Sequence, residues 1–166
     1  MSAGASVVGS CRFASVWGVW TVEWTDSSTG PRVRRLALPD PRSTEVDATP
    51  PGPIGVLVDR IRRHLAGDLQ DFRDVAVDLS GSTPFTIEVC RWIRSIPAGE
   101  TRTYGQVAAA LGKPMASRAV GGALSRNPVG LVVPCHRVVG VGGLTGFSAP
   151  GGIATKERLL RLERSW

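Results

Sequence analysis

YGQVAAALGKPMASRAVGGALS, residues 104–125, predicts two short helices joined by a tight link. The first is Ala-rich, runs from Tyr104 to Leu111 and ends at Gly112. Pro114 follows, and the second helix runs from Ser117 to Ser125. Two helices across a Gly-Lys-Pro link indicate a helix-turn-helix, which presents its second helix to a partner such as DNA.

The neighbouring segments complete a mainly helical C-terminal half. Thr83-Pro84 predicts a helix start, and an apolar stripe continues to Pro97. Residues 131–139 are apolar and predict an extended segment, and a glycine-rich loop follows at 140–146. A last helix is predicted over 153–163.

The N-terminal half has a different pattern. Residues 12–24 and 32–38 are rich in β-formers and flank a turn, which predicts a small antiparallel sheet. Helical periodicity predicts a helix over 54–66, and 75–79 predicts a short strand. The chain therefore predicts an α+β fold with a domain boundary near residue 81.

The length of 166 residues allows one or two small domains. We predict an N-terminal α/β domain over 1–81 and a mainly α-helical domain over 82–166. No apolar run is long enough to span a bilayer, so we expect no membrane partner. The first ten residues lack a basic segment followed by a hydrophobic stretch, which predicts a cytoplasmic protein, or a nuclear one in a eukaryote.

The net charge of +6 is unevenly distributed. Residues 1–83 carry nine Arg against ten Asp and Glu, which gives −1. Residues 84–166 carry nine Arg and two Lys against four Glu, which gives +7. A basic C-terminal half suits a polyanion such as nucleic acid, although a basic surface without a partner would look the same.

The cysteine pattern argues against disulfides and zinc. Cys11, Cys90 and Cys135 are odd in number and widely spaced, and His64 and His136 are the only histidines. We expect no metal site and no cofactor. A cysteine beside a histidine is a candidate nucleophile, whereas the other two cysteines are expected to be small buried hydrophobes.

Cys135 lies in VPCHRV, residues 133–138, and is nucleophilic only as a thiolate, so it needs a base. In an extended segment the side chain of His136 would point to the opposite face. Either the chain turns after Pro134 or a water molecule bridges the two side chains. The histidine then needs an orienting carboxylate, and the acids of this half are Glu88, Glu100, Glu157 and Glu163. Glu157 and Glu163 lie six positions apart on the predicted terminal helix and face different sides, so one of them could point inward, but the residues alone do not choose between these two.

The second predicted helix contains Gly121-Gly122 in its middle. Each glycine costs about 1 kcal/mol of helix stability relative to alanine. Such a pair is best explained by close approach of another backbone. DNA and a neighbouring strand are equally good candidates.

Residues 85–163 resemble the C-terminal domain of the O6-alkylguanine-DNA alkyltransferases, also called methylated-DNA–protein-cysteine methyltransferases. Three motifs occur in order at the family's spacing. They are RAVGGALSRNPV at 118–129, VPCHRVV at 133–139 and TKERLLRLE at 155–163. Residues 1–80 match the family only in outline.

The resemblance implies direct reversal of DNA damage. Cys135 would take the alkyl group from guanine O6 in one irreversible step, so each molecule acts once. His136 would be the base, working through a bridging water, and Glu163 its carboxylate. Asn127 would brace the turn that holds the cysteine.

The resemblance also implies a pocket for a flipped-out guanine. Tyr104 would assist flipping or stabilise the leaving guanine, and Ser148 would donate to O6. Backbone carbonyls of Cys135 and Val138 would accept from the guanine amine. Leu124 would line the pocket wall.

The implied partner is double-stranded DNA, bound through its minor groove. Arg118 would enter the base stack where the guanine left, and Ala119 would also bind DNA. The small residues Gly121, Gly122 and Ala123 would let the helix lie close to the DNA. Minor-groove contacts are degenerate, which suits a search independent of sequence. We expect a monomer, with cooperative assembly on DNA left open.

Three other functions fit parts of the pattern. A lesion sensor of the alkyltransferase-like type binds without transfer, but such proteins lack the reactive cysteine that Cys135 provides. A helix-turn-helix transcription factor needs base-reading side chains, which Gly121-Gly122 does not supply. A cysteine hydrolase needs an oxyanion site, and none is identifiable in the sequence.

Overall fold

The computed structural model describes residues 9–164. It begins with a three-stranded antiparallel sheet in which β1 (Gly9–Ser15) and β3 (Gly30–Ala37) flank β2 (Gly18–Ser27). The absence of a secretory signal was predicted mainly from residues 1–8, which lie outside the described residues.

The interpretation of residues 12–24 as one extended run is wrong, because a tight hairpin turn interrupts it. Gly18 adopts a φ of +115°, a conformation that glycine tolerates and other residues rarely adopt. The hydroxyl of Ser15 closes the turn by accepting from the backbone N–H of Trp17 and from Nε1 of Trp20. The run therefore forms a two-stranded hairpin.

The sheet buries one face against the first helix, α1 (Gly52–Leu65). Phe13 and Trp20 are fully buried on the sheet, and Ile61 is fully buried on α1. The helix predicted over 54–66 is confirmed, with a start two residues earlier. The predicted strand at 75–79 reduces to a single parallel bridge between Val33 and Val77.

That segment stops pairing because its backbone turns at once. The Asp78 carboxylate accepts from the backbone N–H of Ser80, which bends the chain after the bridge. Such local side-chain bonds compete with a sheet ladder. A strand of full length therefore does not form.

The C-terminal half carries the remaining helices, with bounds α2 (Pro84–Ile93), α3 (Tyr104–Ala110), α4 (Ser117–Leu124) and α5 (Gly152–Leu162). A short parallel pair joins β4 (Arg102–Thr103) to β5 (Val138–Val139). The hydroxyl of Thr103 caps α3 by accepting from the backbone N–H of Gln106, whose side chain accepts from the backbone N–H of Thr103. The predicted α3 and α4 are confirmed to within one residue.

Two other predictions in this half need correction. The stripe assigned to one helix up to Pro97 leaves regular α-helix at Ile93 and continues as tight turns through Ile96. A residue before proline is disfavoured in the α conformation, so the helix ends early. Residues 131–139 were predicted to be extended throughout, but only Val138–Val139 form a strand. Leu131 has a φ of +68°, and Cys135–Arg137 form one turn of 3-10 helix.

The apolar character of residues 131–139 reflects burial. Leu131, Val132 and Val133 are each at most 2% exposed. The backbone N–H of Cys135 donates to the Val133 carbonyl, and that of Arg137 donates to the Pro134 carbonyl. The chain therefore turns after Pro134, which was one of the two alternatives left by the sequence.

The sheet contacts the C-terminal half through β3. The backbone N–H of Leu36 donates to the carbonyl of Pro128, and the carbonyl of Leu36 accepts from the backbone N–H of Gly130. The buried hydrophobic residues of both halves form one continuous cluster. The domain boundary near residue 81 stays a prediction. Within residues 9–164 no helix is both long and apolar enough to cross a membrane.

Candidate active site

A cavity of about 560 Å³ lies between α3, α4 and the loop before α5, and the Cys135 side chain lies in its wall. This volume is in the range of small-molecule sites. The lining residues are Tyr104, Ser117, Arg118, Gly121, Leu124, Ser125, Cys135, Thr145, Gly146, Phe147 and Ser148. Six predicted site residues therefore share one pocket: Tyr104, Arg118, Gly121, Leu124, Cys135 and Ser148.

The Cys135 thiol sits at the first residue of the 3-10 turn and is half-buried. Burial raises its pKa above the ordinary value of a thiol. The Asn127 side chain and the positive charge of Lys156 act in the opposite direction. The resting site therefore favours the thiol, and forming the nucleophile requires a base.

His136 follows on the same turn and is fully buried. Its Nε2 lies 3.0 Å from Oε1 of Glu163. Its Nδ1 is buried and has no hydrogen-bond partner among the described residues. Burial lowers the pKa of His136, against the opposing effect of Glu163, so the ring is kept neutral and able to accept a proton.

The carboxylate of Glu163, at the end of α5, is gripped from several sides. Arg137 donates from Nε to Oε2 at 2.9 Å and from Nη2 to Oε1 at 2.8 Å. Nε2 of His64, on α1, lies 3.3 Å from Oε1. Burial alone would raise the pKa of Glu163, but the contacts with His136, His64 and Arg137 hold it far below the ordinary value. The group is therefore ionised at neutral pH.

Asn127 hydrogen-bonds to the segment that leads into the turn. Its Nδ2 donates to the Val133 carbonyl at 2.9 Å, and its Oδ1 accepts from the backbone N–H of Val129 at 3.0 Å. These two bonds clamp the chain on both sides of Leu131, the residue with positive φ. The clamp fixes where the following turn places Cys135.

Lys156 is a site residue that the sequence reasoning did not assign. It is fully buried, and its Nζ donates to the carbonyls of Val138 at 2.6 Å and Thr145 at 3.0 Å. Nζ also lies 3.5 Å from the hydroxyl of Tyr104. Burial lowers the pKa of Lys156 to about 8. A signal was available, because Lys156 precedes the inward Leu159 and Leu160 by three and four residues, on one helix face.

Three predicted substrate contacts have other partners in this structure. The Ser148 hydroxyl donates to the Ser125 carbonyl at 3.0 Å. The Val138 carbonyl accepts from Lys156, and Val138 is fully buried outside the pocket wall. The Tyr104 hydroxyl faces the pocket and donates to the Thr145 carbonyl at 3.1 Å. Guanine would have to share or exchange these partners.

The exposed face of α4 lies beside the pocket mouth. Arg118 and Ala119 are exposed, whereas Gly121 and Gly122 are partly exposed. A Cβ on Gly121 would meet only the Tyr104 ring, at 3.7 Å, and one on Gly122 only the Arg126 side chain, at 3.8 Å. Both are ordinary contacts, so packing within the protein does not require these glycines.

The site as a whole couples a thiol to a buried proton acceptor at the wall of an open pocket. No group of three or more His, Cys, Asp or Glu within residues 9–164 is arranged to hold a metal ion. The arrangement suits attack by sulfur on a carbon that enters the pocket from the α4 side.

Comparison with known proteins identifies the family. The model of the 6-O-methylguanine DNA methyltransferase DNA-binding domain matches residues 84–165. The methylated-DNA–protein-cysteine methyltransferase of Mycobacterium tuberculosis is 47% identical over 116 residues, covering 69% of this chain and 68% of that protein. The protein of the same name from Shigella flexneri is 45% identical over 119 residues, covering 71% and 66%.

Solved structures extend the similarity over nearly the whole chain. The OGT protein of Mycobacterium tuberculosis in complex with DNA has a TM-score of 0.75 at 37% identity, covering 94% of this chain and 93% of that one. The O6-methylguanine-DNA methyltransferase of Pyrococcus kodakaraensis has a TM-score of 0.67 at 28% identity, covering 92% and 96%. The chain therefore belongs to the methylated-DNA–protein-cysteine methyltransferases, the O6-alkylguanine-DNA alkyltransferases of DNA repair, and has their mixed α+β fold.

Proposed function

We propose that Sγ of Cys135 is the acceptor that removes the alkyl group from O6 of guanine in DNA. In this step the sulfur–carbon bond forms as the bond between carbon and O6 breaks, and the thiol proton passes to His136. The guanine leaves as an anion that takes up a proton. The observation that carries the proposal is the thiol at the wall of the pocket, with a buried histidine that is hydrogen-bonded to Glu163 as the next residue on the same turn.

His136 acts through Nδ1, with a water molecule relaying the proton from sulfur. This proposal is supported by the different surroundings of the two ring nitrogens. Nε2 faces Glu163, whereas the buried Nδ1 has no protein partner among the described residues. Glu163 stabilises the imidazolium that forms when the proton arrives. The thioether product is chemically stable, so each molecule acts once.

Groups on the pocket wall stabilise the departing guanine. The pKa of Tyr104 is raised by burial, so the phenol stays protonated and can donate a hydrogen bond to the ring. Ser148 supplies a second hydroxyl, which would turn from Ser125 towards O6. Donors placed where negative charge develops lower the barrier for a poor leaving group.

The helix-turn-helix formed by α3 and α4 presents its second helix to the minor groove of duplex DNA. The basic C-terminal half supports this, as do the two glycines of α4 that internal packing does not require. The thiol cannot reach O6 inside the stack, so the base is flipped out and Arg118 occupies its place. The protein acts as a monomer on this surface.

The test is the fate of the lesion. Duplex DNA carrying one O6-methylguanine is incubated with protein below, at and above equimolar amount, and the digested nucleosides are quantified. One guanine restored per protein molecule, with none restored by Cys135→Ser, supports the proposal. Repair beyond the molar amount of protein, or repair by the serine variant, would overturn it.

A further inference from the structure

His64 belongs to α1 in the N-terminal half, yet its side chain contacts Glu163, which pairs with His136 in the C-terminal half. The side chain is fully buried, and the ring packs against Phe72 with centroids 5.3 Å apart. Proton transfer from Cys135 to His136 does not require a second histidine beside Glu163. A purely apolar side chain would fill this space without burying polar atoms.

The hydrogen bonding of His64 fixes which nitrogen carries the proton. Nδ1 accepts from the backbone N–H of Gln70 at 3.0 Å. In the neutral ring the proton therefore resides on Nε2, because the accepting nitrogen must be unprotonated. Nε2 makes no hydrogen bond to any described residue, but it lies in close contact with Oε1 of Glu163, at 3.3 Å.

Oε1 of Glu163 thus faces three nitrogen atoms. Nε2 of His136 is at 3.0 Å, Nη2 of Arg137 at 2.8 Å and Nε2 of His64 at 3.3 Å. The first two nitrogens belong to the turn that carries the cysteine. The third belongs to α1, so the N-terminal half also contacts this carboxylate directly.

We propose that His64 is a positioning residue for alkyl transfer, which holds the Glu163 carboxylate in the orientation that His136 requires. The inference rests on the proposed function. Arg137 grips both carboxylate oxygens and alone would draw Glu163 towards itself. His64 supplies an opposing N–H that keeps Oε1 within reach of His136.

The neutral imidazole suits this task electrostatically. When His136 accepts the thiol proton, a cation forms beside Glu163, whose charge Arg137 already balances. A third full positive charge would disfavour that cation, whereas a dipolar N–H orients the carboxylate without adding one. The N-terminal half thereby takes part in the chemistry through one side chain.

The first test compares two substitutions at this position. His64→Leu removes both polar contacts, whereas His64→Gln keeps an acceptor for Gln70 and an N–H for Glu163. Rates of alkyl transfer from free O6-benzylguanine and from O6-methylguanine duplex are measured on folded protein. We expect the leucine variant to be slower by about tenfold on both substrates, and the glutamine variant to recover most of that loss.

Leu65→Ala is the matched control, because Leu65 is buried on the same helix and has no polar atom to offer Glu163. It should destabilise the fold while changing the transfer rate less than His64→Leu. Equal slowing by His64→Leu and Leu65→Ala at similar loss of stability would overturn the positioning role. So would a glutamine variant as slow as the leucine variant.

A double-variant cycle makes the second test. If His64 acts through Glu163, His64→Leu should have little further effect on the rate in a Glu163→Gln background. The same fold-slowing in both backgrounds would contradict the inference. Failure of the parent protein to transfer any alkyl group would instead contradict the proposed function, so the two failures are distinguishable.

Discussion

Nε2 of His136 lies 3.0 Å from Oε1 of Glu163, and both side chains are fully enclosed by protein. The histidine belongs to the turn after Pro134, while the carboxylate ends α5, 27 residues later. In the proposed mechanism the terminal helix therefore places one anion next to the base. This relationship makes the turn that carries Cys135 and the terminal helix chemically dependent on each other.

Glu163→Gln should slow alkyl transfer by about 100-fold, because a neutral amide stabilises the His136 imidazolium poorly. Single-turnover rates with O6-benzylguanine measure the effect. Glu157→Gln is the matched control, since Glu157 is partly exposed on the same helix and pairs with Arg161. Equal rates for the two variants would show that Glu163 has no part in the transfer.

The same carboxylate predicts how stability depends on pH. The pKa of Glu163 is lower in the folded protein than its value of about 4.3 in the unfolded chain. The ionised carboxylate therefore stabilises the fold at pH values above about 4.3, and this stabilisation is lost as the pH falls towards the folded pKa. The free energy of unfolding in urea should therefore decrease as pH drops below about 4.5. Glu163→Gln should show a shallower decrease and Glu157→Gln the parent slope, and a parallel slope for all three would contradict the assignment.

Asn127→Ala removes both hydrogen bonds that clamp the segment before Cys135. We expect a loss of about 2 kcal/mol in unfolding free energy, about 1 kcal/mol per bond, together with slower transfer. Ser95→Ala, which loses one exposed bond to the Trp92 carbonyl, is the control and should change little. An Asn127 variant with full stability and full rate would refute the bracing role.

Arg118→Ala should slow repair of duplex DNA by about tenfold or more, while leaving the reaction with free O6-benzylguanine nearly unchanged. Only duplex DNA has a gap for this side chain to fill. Arg161→Ala removes the same charge from an exposed position paired with Glu157 and controls for general electrostatics. Similar slowing of both substrates by Arg118→Ala would remove the finger role.

Gly122→Ala separates the two explanations of the glycine pair. Because a Cβ there meets only ordinary contacts, the variant should be more stable by about 1 kcal/mol, as alanine favours helix. Its repair of duplex DNA should nevertheless be slower, with the free-base reaction unaffected. Destabilisation of the variant would instead point to internal packing as the reason for the glycine.

Local signals were sufficient to predict α3 and α4. Thr103 caps the start of α3 just before Tyr104, and Gly112 marks its end. Both ends of this helix can therefore be predicted from local residues. The segment at 131–139 was missed because its apolar residues fit a buried turn as well as a strand. What bends it is the Asn127 clamp, a contact that only the folded chain provides.

The proposed catalytic residues also differ in how well local sequence predicts them. Cys135 and His136 stand out as a pair in sequence, but the residue patterns alone did not select Glu163, which needed the family resemblance. His64 was not predicted as a site residue, because its contact with Glu163 depends on how the N-terminal helix packs against the C-terminal half. No local sequence pattern encodes that packing. Cytoplasmic location, monomeric state and the boundary near residue 81 stay predictions.

The most direct test of the account is the intact mass of the protein after reaction with O6-methylguanine duplex, followed by peptide mapping. We predict the gain of a single methyl group, located on Cys135, with Cys11 and Cys90 unmodified and the Cys135→Ser variant unchanged. An unaltered mass in folded protein, or a methyl group on either of the other cysteines, would contradict the central claim.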